Sequence, residues 1–299
     1  MTEFLEVFSA LGIEYELNYY LSLSSSFHIG GAADVAVFPK NEGEISTIVS
    51  ELKKTAIRFE VIGKGSNVLF ADDGYRGVII FTKNMSEIIC RGNKISAMCG
   101  VTLATLSNLA RDNSLCGLEF ARGIPGSVGG AVVMNAGAFG GDIKDSLISS
   151  RALDMRTGEV ICIIGEENNL GYRQSIYSEN KELICLSAEF ELKQGNVSDI
   201  DAKMREYSTL RREKQPLEYP SCGSFFKRPE GFFAGKLIED CGLKGFSVGG
   251  AQVSEKHAGF IVNTGNATAR DIIKLGEVVQ RAVFEKFGVK LEREVKYII

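Results

Sequence analysis

The sequence predicts an α+β fold built from more than one folding unit. Helix and strand periodicities follow one another without strict alternation, an order that disfavours a doubly wound parallel sheet. The chain has 299 residues, more than one ordinary domain of roughly 100 to 200 residues. Glycine is concentrated in two stretches, residues 63–67 and 122–141, and the shorter one joins two strand-like runs instead of opening a helix.

Taken in order, Phe4, Leu5, Phe8 and Leu11 share one helical face before Gly12, which predicts a short amphipathic helix over residues 3–11. A turn and a strand are expected over 24–40. Ile45, Ile48, Val49 and Leu52 then mark a helix over 44–54, followed by a strand at 59–62. After the turn GKGSN come an apolar run at 68–70, two turn signals and a further strand. A strand at 94–99 leads to Thr102, an N-cap for a helix carrying Leu103, Leu106 and Leu109. Strands are expected near 149–155, 160–164 and 183–192, and a helix over 199–212. That helix stops at QPLEYP, which holds two of the five prolines and is the best candidate for a domain boundary. A helix over 234–241, a loop-strand segment, a long helix over 269–287 capped near Thr268, and a closing strand over 289–299 complete the chain.

Composition excludes several classes of function. A formal net charge of −4, with both signs mixed along the chain, leaves no footprint for nucleic acid or an anionic membrane. No apolar run approaches the roughly 18 residues of a membrane span, and MTEFLEVFSA lacks a basic lead and a cleavage site, so a cytoplasmic protein is expected. Seven scattered cysteines form no CxxC pair and are expected to be mostly small buried hydrophobes. Two histidines, His28 and His257, sit in no metal-ligand motif, so no metal is expected. The sequence sets no oligomeric state, and a monomer is compatible with it.

The stretch RGIPGSVGGAVVMNAGAFGG has glycine at 123, 126, 129, 130, 137, 140 and 141. Such density disfavours regular structure, because glycine loses the most backbone freedom on folding. It fits either a backbone that lies against a ligand with N–H groups turned to anionic oxygens, or a turn packed tightly for steric reasons. The same two readings hold for residues 63–67. Elsewhere, Arg173 in GYRQS, Ser224 in SCGSFFKRP and Glu294 in LEREVKYII read individually as a surface arginine, a turn serine and a strand-face carboxylate.

Together and in this order, GKGSNVLF, GIPGSVGGAVVMNAGAFGG, GYRQS, CGSFFKRP, GLKGFSVGGAQVSEKHAGFIVN and LEREVKYI resemble the UDP-N-acetylenolpyruvoylglucosamine reductases, the MurB family of peptidoglycan synthesis. The resemblance runs from about Ser24 to Ile299. It implies an FAD cradle of the vanillyl-alcohol-oxidase (PCMH) type made of two α+β subdomains, residues 1–84 and 85–213. It further implies a UDP-sugar-binding subdomain over 214–288, with the terminal strand 289–299 returning to the active site. The implied reaction uses NADPH to reduce non-covalently bound FAD, and hydride then passes from flavin N5 to the enolpyruvyl double bond, giving UDP-N-acetylmuramate.

By the same resemblance, Arg173 and Glu294 stabilise the enolate and Ser224 supplies the proton. Gly63, Lys64, Gly65, Ser66 and Asn67, with Ile124, Pro125, Gly126, Ser127, Gly130, Ala131, Asn135, Gly137 and Ala138, bind FAD. Lys214, Arg228 and His257 bind the UDP-sugar. No space exists after Arg173 for the tyrosine-bearing lid loop of one branch, so the chain looks like type II. Phe139 stands where tyrosine is frequent, His28 where arginine is common, and Lys296 where arginine usually follows, which keeps the charge but loses the planar fork. Another flavin-dependent oxidase on the same cradle, and a non-catalytic nucleotide-binding protein, are the competing readings.

Overall fold

In the computed structural model, which describes residues 2–299, the chain divides into two compact units. The first contains the N-terminal residues through Leu17, Val35–Lys64 and Gly77–Leu210; the second contains Asn18–Asp34, Gly65–Arg76 and Arg211–Ile299.

Two hydrophobic clusters fill the first unit. One gathers Phe4 and Phe8 of α1 (Thr2–Ala10), Ile45, Ile48, Val49 and Leu52 of α2 (Glu42–Lys54), and Val35, Val37, Val78 and Ile80 from strands. Those strands belong to a sheet ordered Tyr15–Tyr20, Ala32–Val37, Tyr75–Phe81, Phe59–Ile62, in which the last two run parallel. The helix face expected at Phe4, Leu5, Phe8 and Leu11 needs one correction, because Leu11 is 59% exposed. The helix ends in a Schellman motif: Gly12 at φ +69° donates to Ser9 O, and Ile13 donates to Phe8 O. That reversal carries Leu11 outward and puts Ile13 in the core instead.

The second cluster lies against an antiparallel sheet ordered Val160–Ile164, Leu147–Asp154, Leu183–Glu191, Lys94–Met98, Ile88–Arg91. Helices α3 (Leu103–Asp112) and α4 (Val128–Met134) pack here through Leu103, Leu106, Val128 and Val132, which share the cluster with Ala188 and Phe190. The first half of strand Leu183–Glu191 is buried on both faces: Ile184 and Leu186 join the first cluster, while Leu183 and Cys185, with Ala188 and Phe190 further along, join the second. The apolar run over residues 183–186 is what a two-sided segment requires, while beyond it Ser187, Glu189 and Glu191 alternate with buried Ala188 and Phe190. Short helix α5 (Ile176–Glu179) and long helix α6 (Val197–Lys214) follow. Strands Tyr15–Tyr20 and Ile88–Arg91 were not expected from the sequence; both are edges, where a single partner and partial burial leave a weak pattern.

A third cluster fills the second unit. It joins α7 (Ala234–Asp240) and α8 (Ala269–Phe287) to the antiparallel strands Ser247–Val248, Ala251–Val253 and Ile261–Asn263. The start of α8 is held by Thr268 and Asp271, which form the expected capping box, and by the Asp72 carboxylate, which accepts the N–H groups of Ala269 and Arg270 at 2.7 and 3.2 Å. The hydrogen bond from the Thr268 N–H to the Asp271 carboxylate holds its pKa below the ordinary carboxylate value. Of the terminal segment expected as one strand, only Lys296–Ile298 is a strand, paired in parallel with Val68–Phe70. Arg293 instead makes a single antiparallel bridge to Phe226. Among the described residues no helix is long and apolar enough to cross a membrane.

All seven cysteines are free thiols; against the expectation that most are buried, only Cys99, Cys185 and Cys222 are, while Cys90, Cys116 and Cys241 are half-buried and Cys162 is exposed. Burial pushes the Cys99 and Cys222 thiols up to about 12. At pH 8 only about one in ten thousand of such thiols is ionised, and the thiolate is the nucleophile. Iodoacetamide at pH 8 is therefore expected to alkylate Cys162 while sparing Cys99 and Cys222 until the protein is denatured. Mass mapping of the modified peptides checks this, and early labelling of either buried thiol would contradict it.

Candidate active site

The glycine-rich stretch in the first unit contains a helix that its composition does not announce. Residues Val128–Met134 form α4, with Gly129 and Gly130 in its first turn. The glycines earn their place by close approach: a Cβ on Gly129 would lie 2.7 Å from Cys99 Cβ, and the Gly129 N–H donates to Cys99 O. Val128 donates to Val101 O in the same way. Of the two readings left open, steric packing thus explains Gly129.

It does not explain Ser127. This residue is 3% exposed, yet its hydroxyl has no hydrogen-bond partner and does not cap α4. The hydroxyl faces two glycines: a Cβ on Gly63 would lie 2.5 Å from Ser127 Oγ, and one on Gly130 would lie 3.9 Å from it. A buried orphan hydroxyl costs about 1–3 kcal/mol. Its presence beside exposed Gly130 fits a group with anionic acceptor oxygens, such as the FAD expected from the sequence. Ile124, Gly126, Gly137 and Ala138 are half-buried, Pro125 is exposed and Ala131 is buried.

Beyond α4 the chain turns sharply. Asn135 adopts the left-handed conformation at φ +41° and closes the helix. Gly137–Ala138 then pairs with Gly141–Asp142 across Phe139 and Gly140, both at positive φ, the geometry of a two-residue hairpin. The Phe139 ring stacks on Tyr207 with centroids 4.6 Å apart, so the ring that replaces the frequent tyrosine is used for packing.

Arg173 belongs to the same unit. It sits in a tight turn in which Gly171 and Gln174 exchange both backbone hydrogen bonds. Its φ of +55° places an arginine where such turns favour glycine, at a cost of about 1–2 kcal/mol. The guanidinium lies 5.1 Å from the Tyr172 ring and 3.5 Å from the Asn135 carbonyl oxygen. The Asn135 side chain, carried by resemblance into the cofactor set, is engaged within the protein: Nδ2 donates to Gly171 O at 2.9 Å, and Oδ1 accepts from Lys144 N at 3.0 Å.

The second unit brings Ser224 and Glu294 onto neighbouring backbone. Phe225 donates to Gly259 O and accepts from Glu294 N, both at 2.9 Å, and Ser224 bridges Phe260. Phe225 is anchored by its ring, which occupies the space beside Gly276 of α8; a Cβ there would lie 2.8 Å from Phe225 Cε1. The Glu294 carbonyl accepts from the Asn67 amide at 3.2 Å, and the Asn67 carbonyl accepts from Lys296 N at 3.1 Å. Asn67 therefore serves the backbone that carries the carboxylate. Gly65 is buried at φ +66°, Ser66 and Asn67 are half-buried, and Lys64 and Ser224 are exposed.

The remaining residues of this unit divide by environment. His257 is half-buried, and burial lowers its pKa below the ordinary histidine value. Its Nδ1 accepts the Gly259 N–H at 3.1 Å, which leaves the proton of the neutral ring on Nε2. Arg228 is exposed and stacks 3.8 Å over the Phe233 ring; Lys214 is exposed at the end of α6, and His28 is exposed at φ +56°. Sequence reasoning missed the strained turn around Arg173 and the internal engagement of Asn135. The sequence carries no local signal for either, since both depend on contacts between segments far apart in the chain.

A profile described as the C-terminal domain of UDP-N-acetylenolpyruvoylglucosamine reductase matches residues 215–298, and one described as an FAD binding domain matches residues 33–163. A UDP-N-acetylenolpyruvoylglucosamine reductase from Syntrophomonas wolfei is 49% identical over 295 residues, covering 98% of each chain. One from Caldanaerobacter subterraneus is 46% identical over 282 residues, covering 94% of this chain and 93% of the relative. The crystal structure of UDP-N-acetylenolpyruvylglucosamine reductase (MurB) from Thermus caldophilus superposes with a TM-score of 0.80 at 31% identity, over 96% of this chain and 99% of that one. With an α+β fold, an FAD-binding domain and full-length relatives of one name, the chain belongs to the UDP-N-acetylenolpyruvoylglucosamine reductase family and is an FAD-dependent oxidoreductase.

Proposed function

We propose that this enzyme catalyses the NADPH-dependent reduction of UDP-N-acetylglucosamine enolpyruvate to UDP-N-acetylmuramate, in the cytoplasm, as a step in making the peptidoglycan that cell shape and division require. The observation that carries the reading is the likeness to reductases of that name along 98% of the chain. FAD, when bound, supplies two-electron acceptance from NADPH and hydride delivery to the substrate double bond. Residues 63–67 and 124–127, with Gly130, Ala131, Gly137 and Ala138, would hold it, and the Ser127 hydroxyl would be available to its pyrophosphate. On this reading residues 1–84 and 85–213 serve the cofactor and 214–288 the UDP-sugar.

The substrate chemistry sets what the side chains must do. Hydride addition at the terminal carbon leaves an electron pair on the carbon beside the carboxylate, and the charge spreads into that carboxylate. Arg173 is assigned to hold the carboxylate with its forked donors as this charge builds. Ser224 gives its hydroxyl proton to the adjacent carbon, forming the new C–H bond, and recovers a proton from solvent. A serine hydroxyl is a weak acid, so this transfer depends on cationic neighbours or a relay. Glu294 assists the developing enolate as a proton-bearing or arginine-paired carboxyl. Lys214 and Arg228 neutralise the diphosphate, and His257 offers its Nε2 proton to a polar group of the sugar nucleotide. NADPH and substrate occupy one place in turn, which makes the cycle ping-pong.

The decisive measurement is an anaerobic two-step titration. NADPH is expected to bleach the yellow protein, and UDP-N-acetylglucosamine enolpyruvate to restore the oxidised spectrum; a flavin that stays reduced would sink the reading. Ser224→Ala and Arg173→Lys should each slow substrate reoxidation at least about 100-fold while leaving NADPH reduction within a few-fold, as expected for groups that act in one half-reaction. Equal damage to both halves would remove them from the substrate chemistry. Ser127→Ala should raise apoprotein stability by about 1 kcal/mol by deleting an orphan hydroxyl, yet weaken FAD binding about tenfold. Denaturant midpoints and flavin fluorescence titration read the two effects, and a stability loss with unaltered affinity would contradict the assignment.

A further inference from the structure

We propose that Asn135 is a positioning residue for Arg173, holding the strained arginine turn in place through its side-chain amide. The inference rests on the functional reading above only for what Arg173 does, and on geometry for how it is held. Arg173 occupies a left-handed position at φ +55° in the Gly171–Gln174 turn. A strained backbone conformation persists only where its surroundings over-determine it. Here the surroundings are the end of the glycine-rich stretch. Asn135 Nδ2 donates to the Gly171 carbonyl at 2.9 Å, the same oxygen that accepts the Gln174 N–H across the turn. On the other side of the turn, Ser175 Oγ donates to Val133 O at 2.7 Å. The turn is thus tied at both ends to residues 133–135. The guanidinium of Arg173 closes the arrangement with its 3.5 Å contact to the Asn135 carbonyl oxygen.

Asn135 is equipped for this as few residues are. It is 2% exposed and sits at φ +41°, a conformation that asparagine tolerates and most side chains do not. Its amide is fixed in orientation, because Oδ1 accepts the Lys144 N–H and Nδ2 also lies 3.3 Å from Asp142 Oδ2. Glycine could adopt the backbone but could not make the clamp. Aspartate could adopt the backbone but would set a carboxylate oxygen against the Gly171 carbonyl. The same asparagine that ends α4 therefore sets where the arginine begins.

The test uses the FAD-loaded enzyme. Asn135→Gly keeps the left-handed backbone and deletes the clamp, and Asn135→Asp replaces it should the glycine variant fail to fold. Two readouts are expected to move. Exchange of the Gln174 amide should accelerate at least tenfold, and the rate of substrate reoxidation should fall at least tenfold relative to the rate of NADPH reduction. In an Arg173→Lys background the same change should alter that ratio less than twofold, because the clamp acts through the arginine. Unaltered amide exchange, equal slowing of both half-reactions, or an undiminished effect in the Arg173→Lys background would each overturn the proposal. Failure of substrate to reoxidise the unmodified protein would overturn the functional reading, while the exchange rate still decides the clamp.

Discussion

The first half of strand Leu183–Glu191, residues 183–186, is buried on both faces, and the first unit is arranged around that constraint. Its alternate side chains enter two different cores, so the strand is shared by both. Cys99, at the end of the adjoining strand, donates to Leu186 O, and the Cys99 carbonyl in turn accepts from Gly129. A chain of main-chain hydrogen bonds thus runs from this shared strand to the first turn of α4. Main-chain bonds of this kind fix position without depending on side-chain rotamers. The start of α4 is thereby tied to the interior of the first unit, a placement suited to the cofactor contact proposed for it.

From that anchored helix the chain hands position on to chemistry. Ser127 enters α4 with a hydroxyl that no protein group satisfies, and Asn135 leaves it with an amide that several groups satisfy. One end keeps an unsatisfied hydroxyl and the other is committed to the fold. In the second unit the same logic operates with different parts: Asn67 and Phe225 hold the backbone of Glu294, Lys296 holds Asn67, and exposed Ser224 precedes a residue whose ring packs against Gly276 of α8.

Much of this was legible in the sequence. Helices with a clear apolar face, α2, α3 and α8, are legible, the last two with their caps at Thr102 and Thr268, because a cap is a local event written in three or four residues. Six motifs in one order gave the family and the FAD-binding fold. What the sequence concealed shares a cause. The helix Val128–Met134 contradicts the propensity of its glycines, since backbone packing against Cys99 outweighs an intrinsic preference worth about 1 kcal/mol per glycine. The left-handed Arg173 and the clamp by Asn135 bring together residues 36 apart from Gly171 and 38 apart from Arg173. Neither separation leaves a periodicity to detect. Leu11 was misplaced because a helical wheel does not include the reversal that follows Gly12.

The contact between Phe225 and Gly276 has a consequence for how such a protein can drift. Gly276 lies in the interior of a helix, where alanine would ordinarily be the more stable choice. Here an added methyl would press on the ring that seats Ser224. A change that looks like an improvement by helix chemistry would be felt at the serine instead. Glycine at 276 is thus a matter of core packing: the methyl that helix propensity would favour has no room beside the buried Phe225 ring, and the segment carrying Ser224 would have to move to make it.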